Sequence, residues 1–177
     1  MEFEHRLDVT VDEYIGMIRL KTSVLLAAAL KIGAVLGGAS EEDAQLLYDF
    51  GIKMGLAFQL QDDFLDVYGD PAVFGKKIGG DILCNKKTFM LITALALAKD
   101  EDKETLLGWL HATDYAPEEK IRSVTALYNK VGVPELCQAR IDAYYEEGLL
   151  LLEKVSVEPS LKEELKKFVC HLMERKL

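Results

Sequence analysis

Helical periodicity dominates this sequence and limits the folds that it can adopt. Apolar residues recur mostly three or four positions apart, and only four prolines interrupt them. That spacing places apolar side chains along one face of an α-helix, whereas a half-buried strand needs strict alternation, which the sequence lacks. With 177 residues, half of them hydrophobic, the chain is long enough to bury a core. The sequence therefore predicts an all-α fold, a helical bundle or part of one.

Local start and stop signals divide the pattern into individual helices. Capping patterns, in which Ser or Thr precedes an acidic residue by three positions, predict helix starts at Thr10–Glu13, Ser40–Asp43 and Ser160–Glu163. The predicted helices cover residues 10–36, 40–68, 88–99, 102–111, 117–132, 134–154 and a terminal helix from 160. A loop rich in Gly and Lys is predicted from Asp70 to about Asn85.

Charge and cysteine content exclude several classes of protein. The net charge is −9 and no Lys/Arg stripe is present, which argues against nucleic-acid binding. The three cysteines form neither a CxxC motif nor a Cys/His spacing typical of zinc, and a reducing cytoplasm would keep them as thiols. The most apolar stretch, Thr22 to Leu30, is too short to span a bilayer, and the N-terminus lacks a signal-peptide pattern. The sequence predicts a cytoplasmic protein that does not span a membrane.

The end of the second predicted helix combines apolar surroundings with three carboxylates. Asp62 and Asp66 are one helical turn apart, and Asp63 lies beside them. On a largely buried helix such charges need protonation, ion pairing or a bound cation. Oxygen ligands of this kind suit Mg²⁺, which often bridges to substrate phosphates. The alternative interpretation is a solvated acidic face.

Lysines follow these carboxylates in the chain. Lys76 and Lys77 lie in the Gly-rich loop, and Lys86 and Lys87 precede Thr88 at a predicted helix start. Lysines and a helix N-terminus suit a metal-bridged diphosphate, although an ordinary surface loop explains them as well. In the first helix Lys21 and Thr22 adjoin an alanine-rich run, where a lysine can simply reach solvent.

The order of these motifs resembles one enzyme family. Residues 58–66, Phe-Gln-Leu-Gln-Asp-Asp-Phe-Leu-Asp, are similar to the second aspartate-rich motif of trans-type prenyl diphosphate synthases such as farnesyl and geranylgeranyl diphosphate synthases. Gly69-Asp70-Pro71, Gly75-Lys76, Gly80-Asp81 and Asn85-Lys86-Lys87-Thr88 resemble the next blocks of that family, and Lys21-Thr22 resembles its Lys-Thr helix. The resemblance covers roughly residues 10 to 92.

The resemblance implies an isoprenoid-synthase-type helical bundle and a role for each matching residue. Asp62, Asp63 and Asp66 would hold Mg²⁺ on an allylic diphosphate, with Asp62 as the foremost direct ligand. Lys21, Lys76 and Lys86 would bind its phosphate oxygens, and Thr22 and Gln59 would line the pocket near the allylic carbons. Loss of diphosphate would give an allylic cation, which isopentenyl diphosphate would attack before a proton is lost. Mg²⁺ and lysines would stabilise the charge on the leaving group.

The sequence departs from the family pattern upstream of the Lys-Thr helix. The family's first aspartate-rich motif and its paired arginines are not present in these 177 residues. The expectation is therefore that residues 1–177 form the C-terminal portion of a single synthase domain, inactive alone and associating as the family's homodimers do. A non-catalytic subunit of a heteromeric synthase and a terpene cyclase of the same fold are the alternatives. The intact order of Asp62, Asp63, Asp66, Lys76 and Lys86 favours the synthase.

Overall fold

The fold is described from a computed structural model, in residues 6, 8–70 and 78–173. Helices make up most of this part of the chain, and it contains no β-strand, so the predicted all-α fold is confirmed. In chain order the helices are α1 (Val11–Ile18), a π-helical turn (Arg19–Ser23), α2 (Val24–Leu36), α3 (Glu41–Tyr68), α4 (Gly80–Leu83), α5 (Phe89–Leu97), α6 (Asp100–His111), α7 (Pro117–Lys130), α8 (Val133–Lys154) and α9 (Pro159–Met173).

Side-chain caps define the first two predicted helix starts. The Thr10 backbone N–H donates to the Glu13 carboxylate at 2.8 Å, and the Glu13 N–H donates to the Thr10 hydroxyl at 3.2 Å. The Asp43 N–H donates to the Ser40 hydroxyl at 3.0 Å. The start predicted at Ser160 is wrong, because α9 begins at Pro159 and Ser160 lies inside the helix.

Two further predictions about helices need correction. The segment predicted as a loop up to Asn85 contains the short helix α4. The first helix is not regular over residues 10–36, because Arg19–Ser23 forms a π-helical turn between α1 and α2. An isolated π turn inside an α-helix adds one residue to the turn and is frequent at functional sites.

The described residues pack as two compact units, and the first contains the acidic motif. It combines the segments Met1–Tyr14 and Asp62–Gln138, of which the latter includes α4 to α7. Helix α7 contacts α4, α5 and α6. Its buried face carries Lys120, Val124 and Tyr128, spaced four residues apart as one face of a helix requires. Helix α7 is therefore the central packing element of this unit.

The second unit combines Ile15–Gln61 with Ala139–Arg175. Its core cluster consists of Phe50, Met54, Leu152, Val155 and Val169. Here α3 approaches the first helix closely. A Cβ on Gly51 would lie 2.6 Å from the Ala27 Cα, and a Cβ on Gly55 would lie 2.6 Å from the Ser23 Cα. Glycine at both positions therefore sets how closely these backbones pack.

The structure also bears on membrane insertion and cysteine chemistry. Within the described ranges, no helix has the length and apolar character needed to cross a lipid bilayer. Cys84 and Cys137 are free thiols. Burial raises the pKa of the Cys137 thiol to about 12, so it stays protonated and unreactive at neutral pH.

Candidate functional site

The three predicted carboxylates lie in the last two turns of α3, within the first unit. Asp62 and Asp66 are half-buried and share one face of the helix, as their spacing predicts. Asp63 is only 2% exposed. The acidic motif is therefore divided into one buried carboxylate and two that reach the surface.

Asp63 is held by one partner from each of the two chain segments that make up the first unit. The Tyr14 hydroxyl donates to Asp63 Oδ2 at 2.5 Å, and Lys86 Nζ donates to Asp63 Oδ1 at 2.9 Å. Tyr14 is fully buried. Burial, reinforced by the Asp63 charge, raises the Tyr14 pKa, so its hydroxyl remains a donor. Asp63 thereby ties the first helix and the segment around residue 86 to the end of α3.

Lys86 lies between two carboxylates. Its ammonium group contacts Asp63 Oδ1 at 2.9 Å and Asp81 Oδ2 at 2.6 Å. Burial on its own lowers the pKa of Lys86, but the charges and hydrogen bonds of Asp63 and Asp81 outweigh burial and raise the pKa above its ordinary value. Lys86 is therefore a fixed positive charge beside the aspartates, in agreement with the predicted grouping of Lys86 with the acidic motif.

Asp66 fixes the start of the short helix α4. The Asp81 N–H donates to Asp66 Oδ2 at 2.8 Å, and the Gly79 N–H donates to the Asp66 backbone carbonyl at 2.6 Å. Gly79 has φ +86°, and a Cβ there would lie 2.7 Å from the Ile121 side chain, so glycine is required on both counts. Burial raises the pKa of the Asp66 carboxyl. A nearby cation would favour its charged form.

The donor set fits a hard divalent cation that draws part of its coordination from elsewhere. Within residues 6, 8–70 and 78–173, no group of three His, Cys, Asp or Glu side chains could enclose a metal ion. Asp62 and Asp66 nevertheless present carboxylate oxygens on one face of α3. Mg²⁺ commonly binds through one or two carboxylates and takes its other ligands from water and substrate phosphates. The assignment of Asp62, Asp63 and Asp66 as metal ligands stays a prediction.

The predicted residues Lys21, Thr22 and Gln59 belong to the second unit. Lys21 and Thr22 lie in the π-helical turn, where Lys21 is exposed and Thr22 is half-buried. The Thr22 hydroxyl donates to Gln59 Oε1 at 2.9 Å. The structure thus brings Thr22 and Gln59 together, and their role in a substrate pocket stays a prediction.

A cavity of about 290 Å³ opens beside Thr22 in the second unit. Its walls are almost entirely apolar and come from the first helix, α3 and α9. The lining includes Leu26, Leu30, Met54, Phe58 and Phe168. Such a cavity suits a hydrocarbon chain and offers little to a charged group.

Sequence reasoning placed some site residues and missed others. Lys76 lies outside the described residues, as do Lys77 and the Gly75-Lys76 motif, and their prediction stays open. No role was predicted for Tyr14, or for Asp81 and Asn85, which belong to the Gly80-Asp81 and Asn85-Lys86-Lys87-Thr88 motifs. Lys120 was not singled out, because it lies in a segment without any recognisable motif.

Known proteins resemble the chain in sequence and in structure. The family model for polyprenyl synthetase matches residues 1–128. A short chain isoprenyl diphosphate synthase of Methanothermobacter thermautotrophicus is 42% identical over 139 residues, which make up 78% of this chain and 42% of that protein. A geranylgeranyl pyrophosphate synthase crystal structure has a TM-score of 0.90 and 39% identity, and the match covers 99% of this chain and 55% of the other.

A third similar protein is known from a crystal structure of a complex with ligands. The polyprenyl synthase of Caulobacter crescentus, crystallised with calcium and isoprenyl diphosphate, has a TM-score of 0.83 and 28% identity. The match covers 99% of this chain and 53% of that one. The chain therefore spans about half the length of the relatives it matches.

Proposed function

Because the chain belongs to the polyprenyl synthetase family, we propose that it serves prenyl transfer by binding an allylic diphosphate with Mg²⁺ for condensation with isopentenyl diphosphate. The family predicted from the aspartate-rich motif is confirmed by this match. The matched relatives are named as synthases, which disfavours the two alternatives, a non-catalytic subunit and a terpene cyclase. That the chain represents the C-terminal portion of such a domain stays a prediction.

One observation carries the proposal: the Lys86 ammonium group lies among aspartates from the largely buried end of α3 and from the short helix α4. Lys86 contacts Asp63 and Asp81, while Asp62 and Asp66 present carboxylates from the same part of α3. Binding of a metal diphosphate needs both signs of charge, because carboxylates hold the cation and an ammonium group binds the phosphate oxygens. Lys86 Nζ, which has three N–H donors, can use one for phosphate while it keeps its carboxylate contacts.

Mg²⁺ would be held by Asp62 and Asp66, with Asp63 as the third predicted ligand. When bound, it would neutralise negative charge that builds on the departing diphosphate. The calcium and isoprenyl diphosphate in the Caulobacter crescentus relative support a divalent cation and a diphosphate as ligands of this fold. Lys76 would add a second phosphate contact, by the same resemblance that assigns Lys86.

The remaining predicted residues, Lys21, Thr22 and Gln59, would act on the substrate as the resemblance implies. Lys21 would bind phosphate, and Thr22 and Gln59 would lie near the allylic carbons. Their mutual hydrogen bond fixes the direction of both polar groups. The apolar cavity beside Thr22 would accept the hydrocarbon chain. The thiols of Cys84 and Cys137 are consistent with a reducing cytoplasm as the compartment, and a homodimer is the expected assembly.

Calorimetric titration of the chain with geranyl diphosphate, an allylic diphosphate, tests this proposal. Binding should require Mg²⁺, and Asp62→Ala should weaken it by about tenfold or more, because one charged ligand contact is lost. Glu42→Ala is the matched control, since Glu42 is an exposed acidic residue at the other end of α3. Binding is the readout, because residues 1–177 alone are predicted to lack turnover.

Circular dichroism melts accompany each titration, so that a variant that fails to fold is recognised. Absence of Mg²⁺-dependent binding by the unsubstituted chain would refute the proposal. An equal loss in Glu42→Ala and Asp62→Ala would show that general negative charge, and not the acidic motif, governs binding.

A further inference from the structure

Lys120 is a buried cation in the interior of the first unit. It lies on α7 and is 0% exposed. Removing an ammonium group from water is costly unless the protein supplies compensating partners. Across the described residues Lys120 makes no ion pair. A lysine kept under these conditions needs an explanation beyond packing.

Among the residues that the structure describes, the partners of Lys120 are all neutral. Its Nζ donates to Asn85 Oδ1 at 2.7 Å and lies 4.5 Å from the centroid of the Tyr115 ring. The Tyr115 hydroxyl is a more distant acceptor at 3.5 Å. A cation over an aromatic face is stabilised when both are desolvated. The one short, directional contact of the ammonium group is therefore with Asn85.

Asn85 has an uncommon backbone conformation that these contacts hold in place. Its φ is +53°, in the left-handed region that asparagine tolerates better than most residues. The side-chain amide is fixed at both ends, because Oδ1 accepts from Lys120 and Nδ2 donates to the Leu110 carbonyl at 3.0 Å. Helices α6 and α7 thus clamp the residue that precedes Lys86.

The clamp reaches the acidic cluster through the chain itself. The backbone N–H of Lys86 donates to the Asp81 carbonyl at 3.0 Å, and its ammonium contacts Asp63 and Asp81. We propose that Lys120 is a positioning residue: its buried ammonium locks the left-handed turn at Asn85 and thereby aims Lys86 at the phosphate of the ligand. This inference rests on the proposed function for the role of Lys86, but the clamp itself does not require a ligand.

Amide hydrogen exchange of the ligand-free chain tests the clamp. Lys120→Met keeps a similar volume and removes both the charge and the donor, so the Lys86 amide should exchange at least about tenfold faster, whereas amides in the middle of α3 should not change. Asn85→Gly is a second variant, which accepts a positive φ but lacks the clamped side chain, and it should act in the same way. Lys103→Met, an exposed lysine of α6, is the control.

Unchanged exchange at Lys86 in both variants would overturn the inference. Lys120→Met removes a costly buried charge but also leaves Asn85 Oδ1 without its donor, and because these effects oppose each other the melting temperature should change little. A structural role alone would instead lower the melting temperature and accelerate exchange throughout the unit.

Calorimetry with magnesium pyrophosphate then tests the connection to the ligand. Lys120→Met should lower the affinity by about tenfold, since Lys86 is then poorly aimed. In a Lys86→Met background the same substitution should have no further effect, because Lys120 acts through Lys86. If Lys120→Met lowered the affinity equally in the unsubstituted chain and in the Lys86→Met chain, the inference would be overturned. If the unsubstituted chain binds no magnesium pyrophosphate, the proposed function fails, and hydrogen exchange still decides whether the clamp exists.

Discussion

Individual side chains of the acidic motif differ in their surroundings more than in their chemistry. Asp63 is buried and receives hydrogen bonds from Tyr14 and Lys86, whereas Asp66 accepts from the backbone of α4. Asp63 and Asp66 thereby join α3 to segments far away in sequence. Three similar residues within five positions can thus hold neighbouring segments in place in addition to the ligand binding proposed for them.

A carboxylate outside the site gives a pH-dependent prediction. The buried Asp43 accepts hydrogen bonds from the Ser156 hydroxyl and from the Ser156 N–H, at 2.5 and 2.8 Å. These bonds, the hydroxyl first, lower its pKa below the ordinary value. Asp43 therefore stabilises the fold at neutral pH, and this stabilisation should disappear as the pH falls from about 4, where unfolded aspartate titrates, through the lower folded pKa.

Thermal unfolding of Asp43→Asn between pH 7 and pH 2 measures this effect. The variant should melt below the unsubstituted chain at pH 7, and the difference should shrink in acid. Asp12→Asn, an exposed aspartate on α1, should show no such convergence. A constant difference at all pH values would mean that the Asp43 charge is not responsible.

Among single residues, the sequence indicated those candidates that lie close together along the chain in motifs. Asp62, Asp63 and Asp66 were singled out because carboxylates so spaced on an apolar helix need protonation, ion pairing or a bound cation, and Lys86 because it follows them in a recognised block. Tyr14 and Lys120 were missed because their partners lie 49 and 35 positions away along the chain. Contacts over such separations leave no local pattern in a single sequence.

Helix ends were predictable where a side chain caps the backbone locally. Thr10, Ser40 and Thr88 each accept a hydrogen bond from a backbone N–H three residues ahead, so the signal and the contact lie within one turn. The π-helical turn was not predictable, because it shifts backbone hydrogen bonds without requiring a particular side chain. Helix α4 was missed because its start depends on Asp66, in a different helix.

The close contact between α3 and the first helix gives a prediction for Gly55. Alanine normally stabilises a helix interior relative to glycine by about 1 kcal/mol. At Gly55 the added Cβ would lie 2.6 Å from the Ser23 Cα, which is backbone and cannot move aside. Gly55→Ala should therefore destabilise the fold by roughly 1–3 kcal/mol in spite of its helix propensity.

Gly108→Ala on α6 is the matched control. A Cβ at Gly108 meets no atom within 4 Å, so this substitution should stabilise the chain by about 1 kcal/mol. Chemical denaturation with urea provides both values. If Gly55→Ala matched Gly108→Ala in sign, the contact with Ser23 would not limit the packing of these helices.

For the molecule as a whole, the exposed apolar surface of α2 leads to a prediction about assembly. Leu25, Ile32 and Leu36 are 78%, 59% and 83% exposed. Residues 50–60, which are also rich in apolar side chains and glycine, are largely buried in the structure, whereas residues 22–38 are not. An apolar patch of this kind favours association, and we expect a second copy of the chain to cover it.

Sedimentation velocity at micromolar concentration checks the expected association. The unsubstituted chain should form dimers, and Ile32→Glu combined with Leu36→Glu should shift it to the monomer. Leu161→Glu on α9 places a charge at another exposed leucine, 72% exposed, and should leave the dimer intact. A monodisperse monomer for the unsubstituted chain would contradict this prediction.

The π-helical turn departs from regular helix geometry and thereby changes which side chains of the first helix are buried. Buried residues of the first helix in the second unit are Ile18, Ser23 and Ala27, so the turn introduces a step of five where a regular helix takes three or four. Because of that extra position, Ser23 lies against Gly55, and the Thr22 hydroxyl points to Gln59. If Arg19–Ser23 were wound as regular α-helix, Thr22, four residues after Ile18, would take the place of Ser23 on the packed stripe. Helical regularity alone would favour that winding, whereas the π-helical turn keeps Thr22 beside Gln59 and in the wall of the apolar cavity.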